Sequence, residues 1–490
     1  MHSRWERVIN MSNYVITFPL SVEKWKIDII NNRLEVARNI YNACLSKILE
    51  NNNKMIKSKR YKEIMDMEDG KEKKTLKKAL TVEYGVNGSY DAYQIVKPMY
   101  NHFKGIDSAV GSKIGKRAYI TFEKITFGTG KKAHFKRKGE FNSVEGNAPA
   151  AGIIFKEVSG KPVIVWNKLT LPVIIDEKDA YNQMALEDKL KYCRIVRRYE
   201  KGKERFYVQL ILEGIPPLKP NQVRATSGRV GIDIGTQTIA IVTENETKLL
   251  ELAPEIDAME KEKRILQRKI DRQRRANNPH KFNEDGTIIK GNREPWIESK
   301  NYLKTKSELQ DLNRVIARKR ELSHNKLANY ILSLGNDIRV EKMNYQGLQK
   351  RAKETTVNEK TGKFNSKKRF GKSLANKAPA MLLEIIDRKL KYQGLELKKI
   401  DTYSVKASQF NHLTGEYVKK GLGERWNDLD GHLVQRDLYS AFLIMNTSDD
   451  LKSVDVNLCN ETYEQFLKNH DKEIQHMKDT VENKLGSFGI

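Results

Sequence analysis

Arg229-Val230-Gly231-Ile232-Asp233-Ile234-Gly235-Thr236-Gln237-Thr238-Ile239-Ala240-Ile241-Val242 places one carboxylate, Asp233, inside an otherwise apolar strand. Val230, Ile232 and Ile234 supply β-branched bulk, Gly235 punctuates, and Ile239 to Val242 restart the pattern, so the stretch reads as two adjacent strands of a buried sheet. A carboxylate in such a strand is costly unless a hydrogen-bond network or a bound cation compensates it. Taken alone, the stretch fits a strand-end aspartate capping the following turn equally well. The remainder of the chain decides between the two.

The chain has 490 residues, enough for about three domains and at least one large core. Lys+Arg number 90 against 63 Asp+Glu, a formal charge of +27, and the sequence pI is near 9.6. That balance suits a polyanion if the excess is clustered, and nucleic acid is the leading partner. No run approaches the roughly 18 to 20 apolar residues of a membrane span, and residues 1–10 form a polar leader without a signal-peptide core, with Met11 an alternative start. An anionic membrane surface is therefore the weaker reading, no membrane partner is expected, and the expected location is the prokaryotic cytoplasm, nucleoid-associated when bound to DNA. Cys44, Cys193 and Cys459 lie far apart and give neither a disulfide framework nor a zinc spacing.

A strand at Tyr14 to Pro19 precedes an amphipathic helix over Val22 to Glu50, where Ile30, Leu34, Ala37, Tyr41, Cys44 and Ile48 recur at three and four while Arg33, Arg38 and Lys47 take the other face. Short Lys-rich helices follow to Lys78. Between Lys116 and Gly214 the period changes to two. Tyr119 to Phe122, Ile125 to Phe127, Gly152 to Phe155, Val163 to Trp166, Leu171 to Ile175 and Phe206 to Leu212 predict a small antiparallel barrel. One connection, Lys131-Lys132-Ala133-His134-Phe135-Lys136-Arg137-Lys138, embeds an aromatic in basic residues and suits phosphate contact with base stacking, although a solvated loop fits nearly as well.

Pro216, Pro217, Pro220 and Ser227 mark a link before the Asp233 strand, and Lys248 to Leu252 completes a three-strand meander. A helical pair follows over Ile256 to Arg275 and Glu298 to Leu334, its first helix carrying Arg264, Arg268, Arg272 and Arg275 around a thin seam of Met259, Leu266 and Ile270. The strand Asp337 to Met343 bears a second acid, Glu341, near its end; a loop, Gln349 to Lys372, is a candidate lid. Helix Leu374 to Tyr392, strand Glu396 to Ile400 and helix Val434 to Met445 complete the pattern of a ribonuclease-H-like fold, with Asp437 on the last helix. A nuclease of that fold needs one carboxylate on the first strand, one at a later strand end and one on a following helix, and Asp233, Glu341 and Asp437 fill those places. Three converging carboxylates require cations, and hard oxygen donors suit Mg²⁺, with Mn²⁺ able to substitute. Two ions about 4 Å apart would activate water, align a scissile phosphate and stabilise the leaving oxygen, Asp233 bridging both and Glu341 and Asp437 holding one each.

Further motifs resemble those of the compact RNA-guided nucleases of the type V CRISPR group, miniature type V-F-like effectors, and their transposon-encoded relatives called TnpB. Arg38-Asn39-Ile40-Tyr41-Asn42 is similar to the family's first-helix signature, Ala133 to Lys138 to its basic Phe-Lys motif, and Glu204-Arg205-Phe206-Tyr207-Val208 to the strand before the nuclease domain. Gly231 to Gly235, Val340 to Met343 with Gly347-Leu348, and Gln435 to Ala441 resemble the three RuvC motifs, although Gln435 and Tyr439 stand where the family commonly has Asp and Asn. The family's four-cysteine zinc ribbon is not matched: Ser408 to Asp430 contains no cysteine, so no zinc is expected, and Phe410, His412, Tyr417 and Trp426 must hold that loop instead. Asp428 and Asp430 are minor alternative ligands.

The resemblance implies an α/β and α+β multidomain chain. Residues 1–20 form the leader and first barrel strand, 21–112 a helical recognition domain, and 113–222 a β-barrel wedge domain. Residues 223–446 form a RuvC nuclease domain, with a helical insertion at 254–335 and a cysteine-free ribbon remnant at 404–432, and 447–490 form a tail. It implies an RNA-guided, Mg²⁺-dependent DNA endonuclease in which guide RNA pairs with target DNA beside a short flanking motif, on double-stranded and single-stranded DNA. Small effectors of this kind often pair two copies on one RNA, which makes a homodimer an option here. Nucleic-acid contacts are expected from Arg33, Arg38, Lys132, Lys136, Arg137, Lys138, Arg264, Arg268, Arg272, Arg275 and Arg436. A guide-RNA-dependent repressor that does not cut, and a DNA transposase, are the competing readings.

Overall fold

The computed structural model describes residues 13–490 except 103–104, 127, 129, 131, 220–221, 360–361, 363, 366–369, 422, 481–484 and 487. The leader over residues 1–10, the start at Met11, Phe127, Lys131, Pro220 and parts of the 349–372 lid lie outside the described residues. The chain divides into two compact units, Met1–Lys219 and Pro220–Ile490.

In the first unit, β1 (Asn13–Pro19) leads into α1 (Lys24–Lys57), then α2 (Lys59–Asp66), α3 (Lys71–Glu83), α4 (Ser89–His102) and α5 (Ser108–Thr126). The strands β2 (Ser143–Glu145), β3 (Ile153–Val158), β4 (Lys161–Trp166) and β5 (Leu169–Pro172), the short helix α6 (Ala180–Leu186), β6 (Leu190–Glu200) and β7 (Lys203–Glu213) follow. They form a four-stranded antiparallel sheet, β1-β7-β6-β2, and a three-stranded one, β3-β4-β5. The expected barrel is therefore corrected: among the described residues no sheet closes on itself. Two of its expected strands, Tyr119 to Phe122 and the described part of Ile125 to Phe127, belong to α5. Val110, Ile114, Ala118 and Phe122 recur every fourth residue and are all buried, so a helical period over the whole segment outweighs a local run of β-formers.

The second unit is built on a five-stranded sheet in the order β10-β9-β8-β11-β12. It comprises β8 (Arg229–Ile234), β9 (Thr238–Val242) and β10 (Thr247–Glu251) as an antiparallel meander, joined in parallel by β11 (Asp337–Glu341) and β12 (Lys398–Ile400). Between them run α7 (Ile256–Asn277), α8 (Lys300–Leu334), the short α9 (Tyr345–Leu348), α10 (Gly371–Lys377) and α11 (Pro379–Lys391). The helix read over Leu374 to Tyr392 is broken in two, because Pro379 opens α11 and Ala378 takes a left-handed conformation with φ 45°. Beyond β12 come the hairpin β13 (Trp426–Leu429) and β14 (His432–Gln435), then α12 (Arg436–Met445) and α13 (Val456–Thr480).

Alternation along β8 sorts the packing. Val230, Ile232 and Ile234 join the core with Ala328, Ile331, Leu382 and Ile386 from α8 and α11. Gly231 and Asp233 face the other side, where α12 crosses the strand and contributes Leu438, Phe442 and Met445 to a second core with Phe466 and Met477 of α13. Each such fully buried apolar side chain is worth roughly 1.5 to 3 kcal/mol relative to exposure. At the crossing a Cβ on Gly231 would overlap the carbonyl oxygen of Ala441 and stand 2.5 Å from the backbone nitrogen of Met445. Gly231→Ala is expected to lower the stability of the second unit by about 1 to 3 kcal/mol, the usual cost of overpacking, in urea unfolding of the full chain. An unchanged midpoint would show that α12 can move off the strand freely.

Candidate active site

Parallel pairing of Ile232 with Val340 puts the next residues, Asp233 and Glu341, side by side on adjacent strands, whose separation is about 4.8 Å. The third acid arrives on α12. Gln435 caps that helix, its side-chain oxygen accepting the backbone N–H of Leu438 at 2.8 Å, and Asp437 lies in the first turn. From Gly231 to Asp233 the strand advances about 6.6 Å, and from Ala441 back to Asp437 the helix covers about 6 Å, so a helix seated at Gly231 carries Asp437 to the level of Asp233.

The electrostatics follow from this crowding. Burial first, then the charges of Asp437 and Glu341, push the Asp233 carboxyl well above its usual range, against an opposing pull from Arg436 and Arg425. Burial also raises Glu341. Tyr345, on α9, is raised by burial and by the Asp233 charge. The guanidinium groups of Arg425 and Arg436 each lie 3.7 Å from a different carboxylate oxygen of Asp437. Arg425 carried no sequence signal: it sits in a polar turn beside β13 and is brought to the site by hairpin pairing, its carbonyl accepting the Arg436 N–H at 2.8 Å. An all-oxygen donor set with more negative than positive charge suits a hard divalent cation. Asp428 accepts the N–H of Gly431 at 2.9 Å and Asp430 occupies the left-handed turn position, so both shape the β13–β14 turn.

The segment before α12 is held by rings and hydrogen bonds. Phe410 and Tyr417 pack with ring centroids 4.8 Å apart and planes tilted by 39°, and the Trp426 indole donates to the Gly489 carbonyl at 2.7 Å. His412 is buried against Tyr439, Phe442 and Tyr463, the last at 4.7 Å. The Tyr439 hydroxyl accepts the backbone N–H of His412 at 3.1 Å and lies 2.7 Å from Nδ1 of the same residue's ring, so two hydrogen bonds tie His412 to α12.

The basic residues divide by what already occupies them. Arg33 donates to the carbonyls of Trp166 and Asn167 at 2.5 and 2.9 Å, and Arg38 bonds Glu35, Asn39 and the Lys136 carbonyl, so both brace the first unit. Asn42 clamps the Lys136 backbone from both sides, its side chain accepting the N–H and donating to the carbonyl, each at 2.8 Å. On that braced segment Lys132, Phe135, Arg137 and Lys138 are exposed. On α7, Arg264, Arg268, Arg272 and Arg275 are exposed along one face, and Arg275 pairs with Asp271 at 2.9 Å. No described helix is long and apolar enough to cross a membrane.

No protein-family model matches the chain, and no curated protein matches its sequence. Its fold is similar to that of a solved structure described as "Cryo-EM structure of the Cas12f1-sgRNA-target DNA complex", with a TM-score of 0.50 and 12% identity over 88% of this chain and 84% of that one. A second, "Cryo-EM structure of CRISPR-Cas12f Ternary Complex", aligns over 89% of this chain and 84% of that one at 13% identity, with a TM-score of 0.27 that carries no weight.

Burial lowers the His412 pKa to about 4, below the ordinary imidazole value near 6.5. Between those values the unfolded chain binds the proton more readily, so stability is expected to fall as pH drops from about 6.5 toward 4. His324 and His470, also lowered by burial, add slope of the same sign. Thermal unfolding across that range should show a shallower dependence for His412→Gln than for the wild type; equal slopes would remove His412 from the account.

Proposed function

We propose that this chain is an RNA-guided DNA endonuclease with a single ribonuclease-H-like, RuvC-type site, in which Asp233, Glu341 and Asp437 hold a pair of Mg²⁺ ions. The observation that carries the reading is the meeting of these three acids at one end of the five-stranded sheet. Bound there, Mg²⁺ supplies Lewis-acid stabilisation of phosphate charge and lowers the pKa of water. The protein's part is orientation. Neighbouring strands set Asp233 beside Glu341, and the cap of α12 fixes Asp437. Arg425 and Arg436, each 3.7 Å from Asp437, are placed to meet the negative charge of a DNA phosphate. The fold likeness to Cas12f1, solved with a guide RNA and target DNA, and the formal charge of +27 support guide RNA and DNA as partners. The exposed basic ridge around Phe135 and the arginine face of α7 are the surfaces proposed to meet their phosphates.

The RNA-loaded chain, given matched DNA and Mg²⁺, should cut it. Asp233→Ala should lower the cleavage rate on the order of 10³-fold, about 4 kcal/mol of transition-state stabilisation, while DNA affinity changes little because phosphate contacts come from Lys and Arg. Cleavage that survives the substitution would refute the site, and failure of the wild type to cut would favour a guide-dependent repressor. Arg425→Ala should slow single-turnover cleavage roughly tenfold to a hundredfold through loss of one charge-assisted contact, with DNA affinity nearly unchanged. A rate equal to wild type would confine Arg425 to bracing Asp437.

A further inference from the structure

His432 on β14 and His470 and Asp471 on α13 bring three potential ligand atoms within 4.8 Å of one another, a spacing a metal ion could use. One hydrogen bond argues otherwise. The backbone N–H of Gln435 points at Nε2 of His470 at 3.0 Å, and a backbone N–H can only donate. Nε2 must therefore be bare, and the single proton of the neutral ring sits on Nδ1. From there it is donated to Oδ1 of Asp471 at 2.8 Å, the same oxygen that Nε2 of His432 approaches at 3.3 Å. An ion taking the Nδ1 lone pair would force the proton onto Nε2, against the Gln435 N–H. The trio is a relay of hydrogen bonds.

What the relay holds is the start of α12. Gln435 is wholly buried and fixed at three points: its N–H by His470, its side-chain oxygen by the helix N–H of Leu438, and its side-chain nitrogen by the Phe488 carbonyl at 3.2 Å. Arg436 and Asp437 come next in the chain. His470 is 1% exposed, and the groups around it are Asp471 of its own helix, His432 of β14 and the rings of Trp426 and Phe466. Removing the acceptor would strand a buried N–H directly before the site. We propose that His470 is a positioning residue for Asp437 and Arg436, seating the first turn of α12 through the Gln435 backbone while Asp471 imposes the required tautomer. The role in catalysis rests on the nuclease reading given above; the seating of the helix does not.

The test has two arms on the full chain. Without nucleic acid, amide hydrogen exchange at residues 435–438 should quicken on the order of tenfold in His470→Phe and in Asp471→Ala, the equivalent of one lost buried hydrogen bond, with α11 unaffected. His470→Gln, whose side-chain oxygen stands near the place of Nε2, should stay close to wild type. In the RNA-loaded complex, His470→Phe should lower the maximal cleavage rate by a similar factor without changing the DNA concentration at half-saturation, and His470→Gln should restore it. Unchanged exchange at 435–438 in both His470→Phe and Asp471→Ala would overturn the proposal, as would a His470→Gln variant as impaired as His470→Phe. Should His470→Phe fail to fold, Asp471→Ala, at a half-exposed position, decides alone. A wild type that does not cut would sink the nuclease reading while leaving the exchange arm intact.

Discussion

The close approach of α12 to β8 at Gly231 is the contact on which the second unit depends. It leaves no room for a side chain, so the helix is held to one height on the strand. The apolar face behind the contact supplies the attraction, through Leu438, Phe442 and Met445. That attraction has to outweigh an opposing force, because the same seating presses Asp437 toward Asp233 and Glu341. Packing thus holds together three groups that electrostatics would separate. Arg425 and Arg436 relieve part of the repulsion, and the Asp233 carboxyl is still raised, by burial first and by the charges of Asp437 and Glu341 second.

Legibility in the sequence followed the range of the interactions. The strands bearing Asp233 and Glu341 stand out because β-branched residues and turn glycines report on a few neighbours at a time. The basic run at 132–138 is legible for the same reason. Tyr119 to Phe122 misleads when read as four residues, since the burial at Val110, Ile114, Ala118 and Phe122 shows only over the whole helix. β6 escapes notice because a buried position of its alternation is filled by Arg197, whose guanidinium is satisfied by Asn31, Gly139 and Asn142. Arg425 and His470 act through partners distant in sequence or through backbone atoms, and no local pattern announces either.

The expected nucleic-acid contacts illustrate the same limit. Sequence assigns a charge to each arginine but not its occupation. Arg33 is spent on two carbonyls of the first unit, with its guanidinium 4.9 Å from the Trp166 ring, while the arginines along α7 remain exposed. Between these extremes lies the segment braced by Asn42. Its backbone is fixed by α1 while its charged side chains stay in solvent, so a polyanion meeting it would need to order side chains and not the loop.

The carboxylates also differ in when they exist. Asp233 and Glu341 can pair as soon as β8 and β11 have left the ribosome, but Asp437 is held by α12, and α12 is buttressed by α13, synthesised later still. Because domains fold as the chain emerges, N-terminal parts first, the sheet can form with only two of its acids in place. The charge repulsion that the finished cluster contains is thereby deferred until the core able to bear it is assembled, and a nascent chain carries no complete trio of carboxylates.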